Sequence, residues 1–404
     1  MNIIYIDHYA GSPEMGMEFR PYYLSREWVK MGHKATVIAG DYSHLRIKNP
    51  TVAEDFTAEM IDGIEYVWVR SGGYQGNGVK RAFSMFRFVG KLWRNADKIV
   101  QCYKPDVVIA SSTYPLDTYP AQKIARLAKA KYIHEVHDMW PITLIEVGGM
   151  SKWHPFVIMM QFAENSFCKN CDYVVSLLCA AKDYFIKHGM KPEKFKVVMN
   201  GIVEEEWIRP MNLPAEHETI LSRLHEEGKF IICFFGSVTK SYAIDYLLEA
   251  VAQLQNKKIA VVVVGEGNQK EDLLSRYSGK NEVFFLSRIS KMAIPTLMEK
   301  IDCCYVGALH NDMFRFGICM NKLFDSMMSG KPILYAVEAP NNFIKEYDCG
   351  ISVEAENIEA LKQGLQKLLD TTDNEKIQMG KNGRQAIFEH FTYSKLARQF
   401  AELF

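Results

Sequence analysis

The sequence predicts an α/β protein made of two doubly wound, parallel-sheet domains. Three observations predict it. Short Val/Ile/Tyr-rich runs alternate with amphipathic helical periods from end to end. The rhythm restarts near the middle, and 404 residues suffice for two domains at roughly 100–200 residues each. Alternating strand and helix in one chain implies parallel sheets covered on both faces.

In the first half, strands are expected at residues 3–7, 35–39, 64–70, 106–111, 132–136, 173–177 and 196–199, each bounded by Gly, Pro, Asp or Asn, as buried parallel strands are. Helical periods fill the gaps, for example 18–31, where Phe19, Tyr22, Tyr23 and Trp28 carry the apolar load, and 116–130. In the second half, strands are expected at 230–236, 259–265, 283–286, 303–306, 332–335 and 351–353, with helices at 245–255, 270–277, 291–300 and 321–329. The polar stretch 202–217, with Pro210 and Pro214, reads as the linker. The domains are therefore set at 1–205 and 206–384, with a last helix at about 385–404 returning to the first.

Composition narrows the function. Lys+Arg 48 balances Asp+Glu 48, which argues against a general nucleic-acid binder. A hydrophobic fraction of 48% against 24% charged excludes disorder as the main state. No apolar run approaches the ~18 residues of a membrane span, and the first residues do not read as a secretory signal. Nine cysteines are scattered. Cys168 and Cys171 form one CxxC with no second pair to complete a zinc site, so they are expected as buried thiols. These features together point to the cytoplasm.

Doubly wound sheets bind ligands at the carboxyl ends of their strands. The first such loop, His8 to Arg20, contains Gly11 and Gly16 and opens a helix. Its backbone amides suit an anion such as a diphosphate, and Arg20 can add a charge-assisted contact. No Lys-Ser/Thr follows and there is no GxGxxG, so it is neither a Walker loop nor a typical dinucleotide site. The next informative loop is Glu135-Val-His137-Asp138-Met-Trp140-Pro141, with three ionisable groups at a strand end. His137 or Asp138 can act as a base or bind hydroxyls. Strand alternation puts Glu135 and His137 on one face and His134 on the other.

In the second half, Lys240 follows Gly236, Glu266 follows Gly265, and Arg288-Ile289 follows the third strand. The most specific stretch runs from Phe314 to Pro332. Phe316-Gly317 makes a tight turn, and Lys322 and Asp325 lie three apart on one helical face. A Lys near a helix N-terminus opposes the dipole and so has another task. Phosphate on Lys322 and ribose hydroxyls on Asp325 fit that pattern.

These motifs, with Asn200-Gly201-Ile202 and Val263-Val264-Gly265-Glu266-Gly267, resemble glycosyltransferases of the GT-B fold, family 4, over essentially the whole chain. Within it, Glu135-x-His137-Asp138-x-Trp140-Pro141 and Phe314-Arg315-Phe316-Gly317 through Asp325 are similar to the fucosamine-transferase-like branch of O-antigen and capsule synthesis. The resemblance implies two Rossmann-like domains facing a central cleft. It implies retaining transfer of a sugar from a nucleotide diphosphate, UDP-linked, to an acceptor linked to a polyprenyl diphosphate, with no metal and no cofactor. The second Glu of the family's usual pair maps to Asp325. The first maps eight positions earlier, to Gly317, which favours a deoxy or N-acetylated donor sugar.

On this reading the catalytic group is Asp138, His137 and Glu135. The donor meets Gly16, Arg20, Lys240, Glu266, Arg288, Ile289, Arg315, Gly317, Ile318, Asn321, Lys322 and Asp325. The acceptor meets Ser12, Glu14 and Met17. Two rivals are a nucleotide-sugar epimerase of the same fold and an inactive scaffold subunit of a glycan assembly. A membrane contact is expected at 79–98, where Val79, Phe83, Phe86, Gly90 and Trp93 recur beside Arg87, Lys91, Arg94 and Lys98, with residues 153–160 as a second candidate. The competing outcome is an apolar stripe packed on the sheet.

Overall fold

The computed structural model describes residues 1–16, 19–76, 78–277, 279 and 283–404. The chain divides into two units, Met1–Met199 with Tyr393–Phe404, and Asn200–Thr392. The first is built on strands β1 (Asn2–Ile6), β2 (Lys34–Gly40), β3 (Thr57–Ile61), β4 (Ile64–Val69), β5 (Val107–Ala110), β6 (Lys131–Val136), β7 (Tyr173–Ser176) and β8 (Phe195–Val197). Their spatial order is β3-β4-β2-β1-β5-β6-β7-β8. All pairs are parallel except β3–β4. The order reverses direction between β1 and β5, the crevice where such sheets receive ligands.

The strand β3 was not expected. Its residues are almost wholly exposed, so it shows no buried periodicity. The local signal was Asp62-Gly63, which takes φ of 49° and 81° and closes the hairpin in the way Asp-Gly turns do.

The second unit has β9 (Phe230–Phe235), β10 (Ile259–Val264), β11 (Val283–Leu286), β12 (Cys303–Gly307), β13 (Ile333–Ala336) and β14 (Gly350–Ser352), in the order β11-β10-β9-β12-β13-β14. All are parallel, and here the reversal lies between β9 and β12. Ile232, Phe234, Val261, Val263 and Tyr305 bury one face of this sheet beneath the helix Ile244–Leu254.

The C-terminal segment is split. The helix Asp373–His390, capped by a reciprocal Thr372–Glu375 box, lies in the second unit, whereas Tyr393–Ala401 lies in the first. It packs on the helix Arg20–Lys30. Trp28 Nε1 donates to the Ala397 carbonyl at 2.9 Å, and the indole meets Phe400 and Phe404 edge-on. Cys168 and Cys171 are buried free thiols, and burial pushes the Cys171 thiol up to about 12.

Candidate active site

In the first unit, the carboxyl ends of β1, β5 and β6 converge on one carboxylate. Strand alternation sends His134 toward the helix Pro155–Asn170, where it stacks on Phe167, and sends Glu135 and His137 to the opposite face. Arg20, at the first turn of its helix, reaches Glu135 Oε1 through Nη2 at 2.8 Å and Nε at 3.0 Å. On Oε2 the carboxylate accepts from Tyr5 Oη, from Ser111 Oγ at 2.6 Å and from His137 Nε2 at 3.0 Å. Burial alone would raise the Glu135 carboxyl. The Arg20 charge and the His137 hydrogen bond override it and hold the group well below the usual carboxylate range.

Arg20, expected to meet the donor, is instead buried, and its Nη1 and Nη2 also donate to the Met199 and Val198 carbonyls at 2.6 and 2.8 Å. Glu135, expected as catalytic, is likewise enclosed. The Glu135 carboxylate, paired with Arg20, lies within hydrogen-bonding distance of His137, which is partly exposed. Asp138 follows and reaches solvent. Crowding by protein raises its carboxyl, against the pull of His137 and Arg81.

The first loop also differs from expectation. The Gly16 amide donates to the Ser12 carbonyl at 3.0 Å, so it is spent within the turn rather than offered to an anion. Ser12 is buried and Glu14 is exposed; Met17 lies outside the described residues. Beside this loop the Arg81 guanidinium lies over the Tyr9 and Trp140 rings, 5.3 and 6.0 Å from their centroids. That cation was missed in the sequence because it sits inside a helix rather than in a strand-end loop.

In the second unit, a cavity of about 260 Å³ opens at the ends of β9, β10 and β11. Gly236, Glu266, Arg288 and Ile289 are among its lining residues. Two backbones meet at its floor: a Cβ on Gly265 would stand 1.8 Å from the Gly236 carbonyl oxygen. A Cβ on Gly236 would in turn stand 3.3 Å from Lys322 Nζ. Glu266 is tied to Lys270 at 2.8 Å, and that hydrogen bond lowers its carboxyl.

Lys322 enters the helix Asn321–Met328 in its first turn. Its Nζ is buried, with no hydrogen-bond partner among the described residues. It lies 4.1 Å from the Phe234 ring centroid and 3.2 Å from that of Tyr242. Burial pushes the ammonium down to about 7. One turn on, Asp325 is buried and pushed up to about 6, with Lys291 opposing the shift and Glu206 adding to it.

The loop before this helix is pinned. Asn341 accepts from the Ile318 amide at 2.9 Å and donates to the Ile318 carbonyl at 2.8 Å. Gly317 takes φ of 102°, which a Glu there would adopt only with strain. Arg315 and Lys240 are both exposed and absent from the cavity lining. Arg315 donates to the Asp312 carbonyl and lies over Phe316. Asn321 is exposed beside Lys322. The aromatic seat of Lys322, Phe234 and Tyr242, was missed because strand periodicity marks Phe234 simply as core.

Residues 15–206 match Glycosyltransferase Family 4, and residues 217–386 match Glycosyl transferases group 1. The chain belongs to the GT-B glycosyltransferases. This glycosyltransferase is 24% identical over 266 residues to the probable glycosyltransferase WbjE of Pseudomonas aeruginosa, taking in 65% of this chain and 63% of that one. The match thus spans less than two thirds of the relative. Among solved structures, Anabaena Alr3699/HepE in complex with UDP and glucose superposes with a TM-score of 0.65 at 16% identity, over 100% of this chain and 98% of that one. WaaG, a glycosyltransferase involved in lipopolysaccharide biosynthesis, superposes with a TM-score of 0.65 at 14% identity, over 99% of each chain. At such identities the likeness is one of fold.

Proposed function

We propose that this chain transfers a sugar from a nucleotide diphosphate, UDP-linked, to a hydroxyl of a lipid-linked glycan acceptor, with retention at the anomeric carbon. The observation that carries the reading is the Lys322 ammonium, buried against two rings without a hydrogen-bonding partner among the described residues. A desolvated ammonium is costly until an anion joins it, and a diphosphate at a helix N-terminus is a fitting anion. The UDP held by Alr3699/HepE, on the same fold, supports the choice of nucleotide.

In this reading Lys322 neutralises the departing diphosphate, with Arg315, Lys240 and Arg288 reaching its outer oxygens. Asp325 accepts from ribose hydroxyls. Gly317 leaves room beside the sugar for a deoxy or N-acetyl carbon. The acceptor hydroxyl forms its bond to the anomeric carbon on the face the diphosphate leaves, and its proton passes to the departing phosphate oxygen. His137 and Asp138 orient the reacting groups.

The role of WaaG in lipopolysaccharide biosynthesis supports a surface-glycan acceptor. The helix Val79–Arg94 supports its lipid linkage. It buries Ser84, Met85, Phe88 and Leu92 and turns a second apolar row outward: Val79 is 73% exposed and Phe83 57%. That row is therefore not the stripe that packs on the sheet. Arg87 and Arg94 lie exposed on this helix, and Lys98 lies exposed on the next one, Ala96–Tyr103, because the expected single helix over 79–98 breaks at Asn95; Lys91 is paired with Asp55. No helix of the described residues is long and apolar enough to cross a membrane.

The test is a panel of nucleotide sugars scored by thermal stabilisation, then mass spectrometry of glycan acceptors incubated with the stabilising donor. A mass increase by one sugar, lost in Lys322→Ala, is expected. Turnover of the free nucleotide sugar without acceptor would favour an epimerase, and no binding of any nucleotide would overturn the reading.

A further inference from the structure

We propose that Glu135, held in place by Arg20, is a positioning residue that fixes the proton of His137 on Nε2. The inference rests on the role given above to His137, and it concerns which ring nitrogen that role uses.

The argument is an inventory of donors. Arg20 saturates one oxygen of the carboxylate through Nε and Nη2. The other oxygen, Oε2, receives the Tyr5 and Ser111 hydroxyl protons. The Ser111 proton is thereby committed, so Ser111 Oγ meets His137 Nε2, 2.8 Å away, only as an acceptor. Glu135 Oε2, 3.0 Å from the same nitrogen, is also an acceptor. Both contacts require hydrogen on Nε2. In the neutral ring the lone pair is then on Nδ1, and in the charged ring the cation lies against a carboxylate kept ionised by Arg20.

The frame behind this arrangement is buried. Tyr5 is on β1, Ser111 follows β5, Glu135 is on β6, and Arg20 is anchored to the Val198 and Met199 carbonyls. Other titratable groups act on the ring through charge: Asp117, which burial raises to about 7, Asp138 and, from the opposite face of the strand, His134. None of them is within hydrogen-bonding distance of Nε2 in the contacts described. A partner that orients a histidine through one nitrogen sets the basicity and the tautomer of the other.

The experiment is a pH titration of the full chain, labelled with nitrogen-15 histidine and followed by NMR, without substrate. His137 is assigned by its loss in His137→Ala. Wild type should show the Nε2–H tautomer alone at high pH. In Glu135→Gln, the midpoint of His137 should fall by about one pH unit or more as the carboxylate is lost, and kcat should drop about tenfold or more with donor KM within about twofold. An Nδ1–H tautomer in wild type overturns the proposal outright, whether or not any variant folds. An unchanged midpoint in folded Glu135→Gln also overturns it. Full turnover by His137→Ala would instead reject the role of His137, leaving the tautomer result standing.

Discussion

The Lys322 ammonium sits 3.2 Å from the centroid of the Tyr242 ring, and a Cβ on Gly236 would stand 3.3 Å from it. The rings give a cation–π contact worth about 2 kcal/mol when desolvated, but they leave the N–H groups of the ammonium unbonded. Lys322→Ala should therefore weaken nucleotide diphosphate binding about tenfold or more, since hydrogen bonds to charged groups contribute about 1.5–3 kcal/mol. Calorimetry with UDP decides it, and unchanged affinity would remove Lys322 from the diphosphate site.

Protonation gives a second measure of the same group. The folded state holds Lys322 near 7, below its ordinary 10.5. The unfolded chain thus binds more protons between those values, and the penalty on the ligand-free protein fades as pH rises from 7 toward 10.5. A bound diphosphate reverses the shift. At pH 8, UDP binding should take up a fraction of a proton, seen as a dependence of the calorimetric heat on buffer ionisation enthalpy. The dependence should vanish in Lys322→Met.

The two acidic groups should separate in kinetics. Asp325 is raised to about 6 by burial, so ribose binding through its carboxylate should strengthen as pH rises through 6. Asp325→Asn should lower nucleotide affinity and flatten that limb. Asp138→Asn should chiefly lower kcat. Intact affinity in Asp325→Ala, or full turnover in Asp138→Ala, would reject the respective role.

Trp28 links the helix Arg20–Lys30 to the last helix of the chain through Ala397, Phe400 and Phe404. Trp28→Ala should cost about 3–5 kcal/mol, the usual range for deleting a buried Trp, read as a lower urea midpoint. A change under about 1 kcal/mol would show that the C-terminal helix adds little to the first unit.

Membrane contact should depend on the exposed apolar row of the helix Val79–Arg94 and on the basic residues of that helix and of the next, Ala96–Tyr103. Each Lys or Arg near an anionic surface contributes about 1 kcal/mol. Sedimentation with anionic vesicles should fall in high salt, in the Arg87, Arg94 and Lys98 to Ser variant, and in Phe83→Ser with Phe86→Ser. Equal sedimentation of all three proteins, or none of wild type at low salt, would point to a soluble acceptor.

The sequence by itself determined the class of the fold and most of its strands, because buried parallel strands are continuous apolar runs between turn residues and need no partner to be recognised. Thirteen of the strand positions were legible in this way; β3 was not, since an exposed edge strand carries no burial signal. The sequence also marked Lys322 and Asp325 as chemically unusual, through their place in one helical turn. Only the tertiary structure decided which charges are spent and which remain. Arg20 and Glu135 lie 115 positions apart, and nothing local in either loop says that they meet. Their pairing buries both charges and sets the Glu135 carboxylate against His137. Lys322 has the opposite history. The rings that bury it come from β9 and the turn after it, and they leave its ammonium without a hydrogen-bond partner among the described residues. Burial and pairing are properties of the assembled neighbourhood, and for a charged side chain they decide function as much as residue type does.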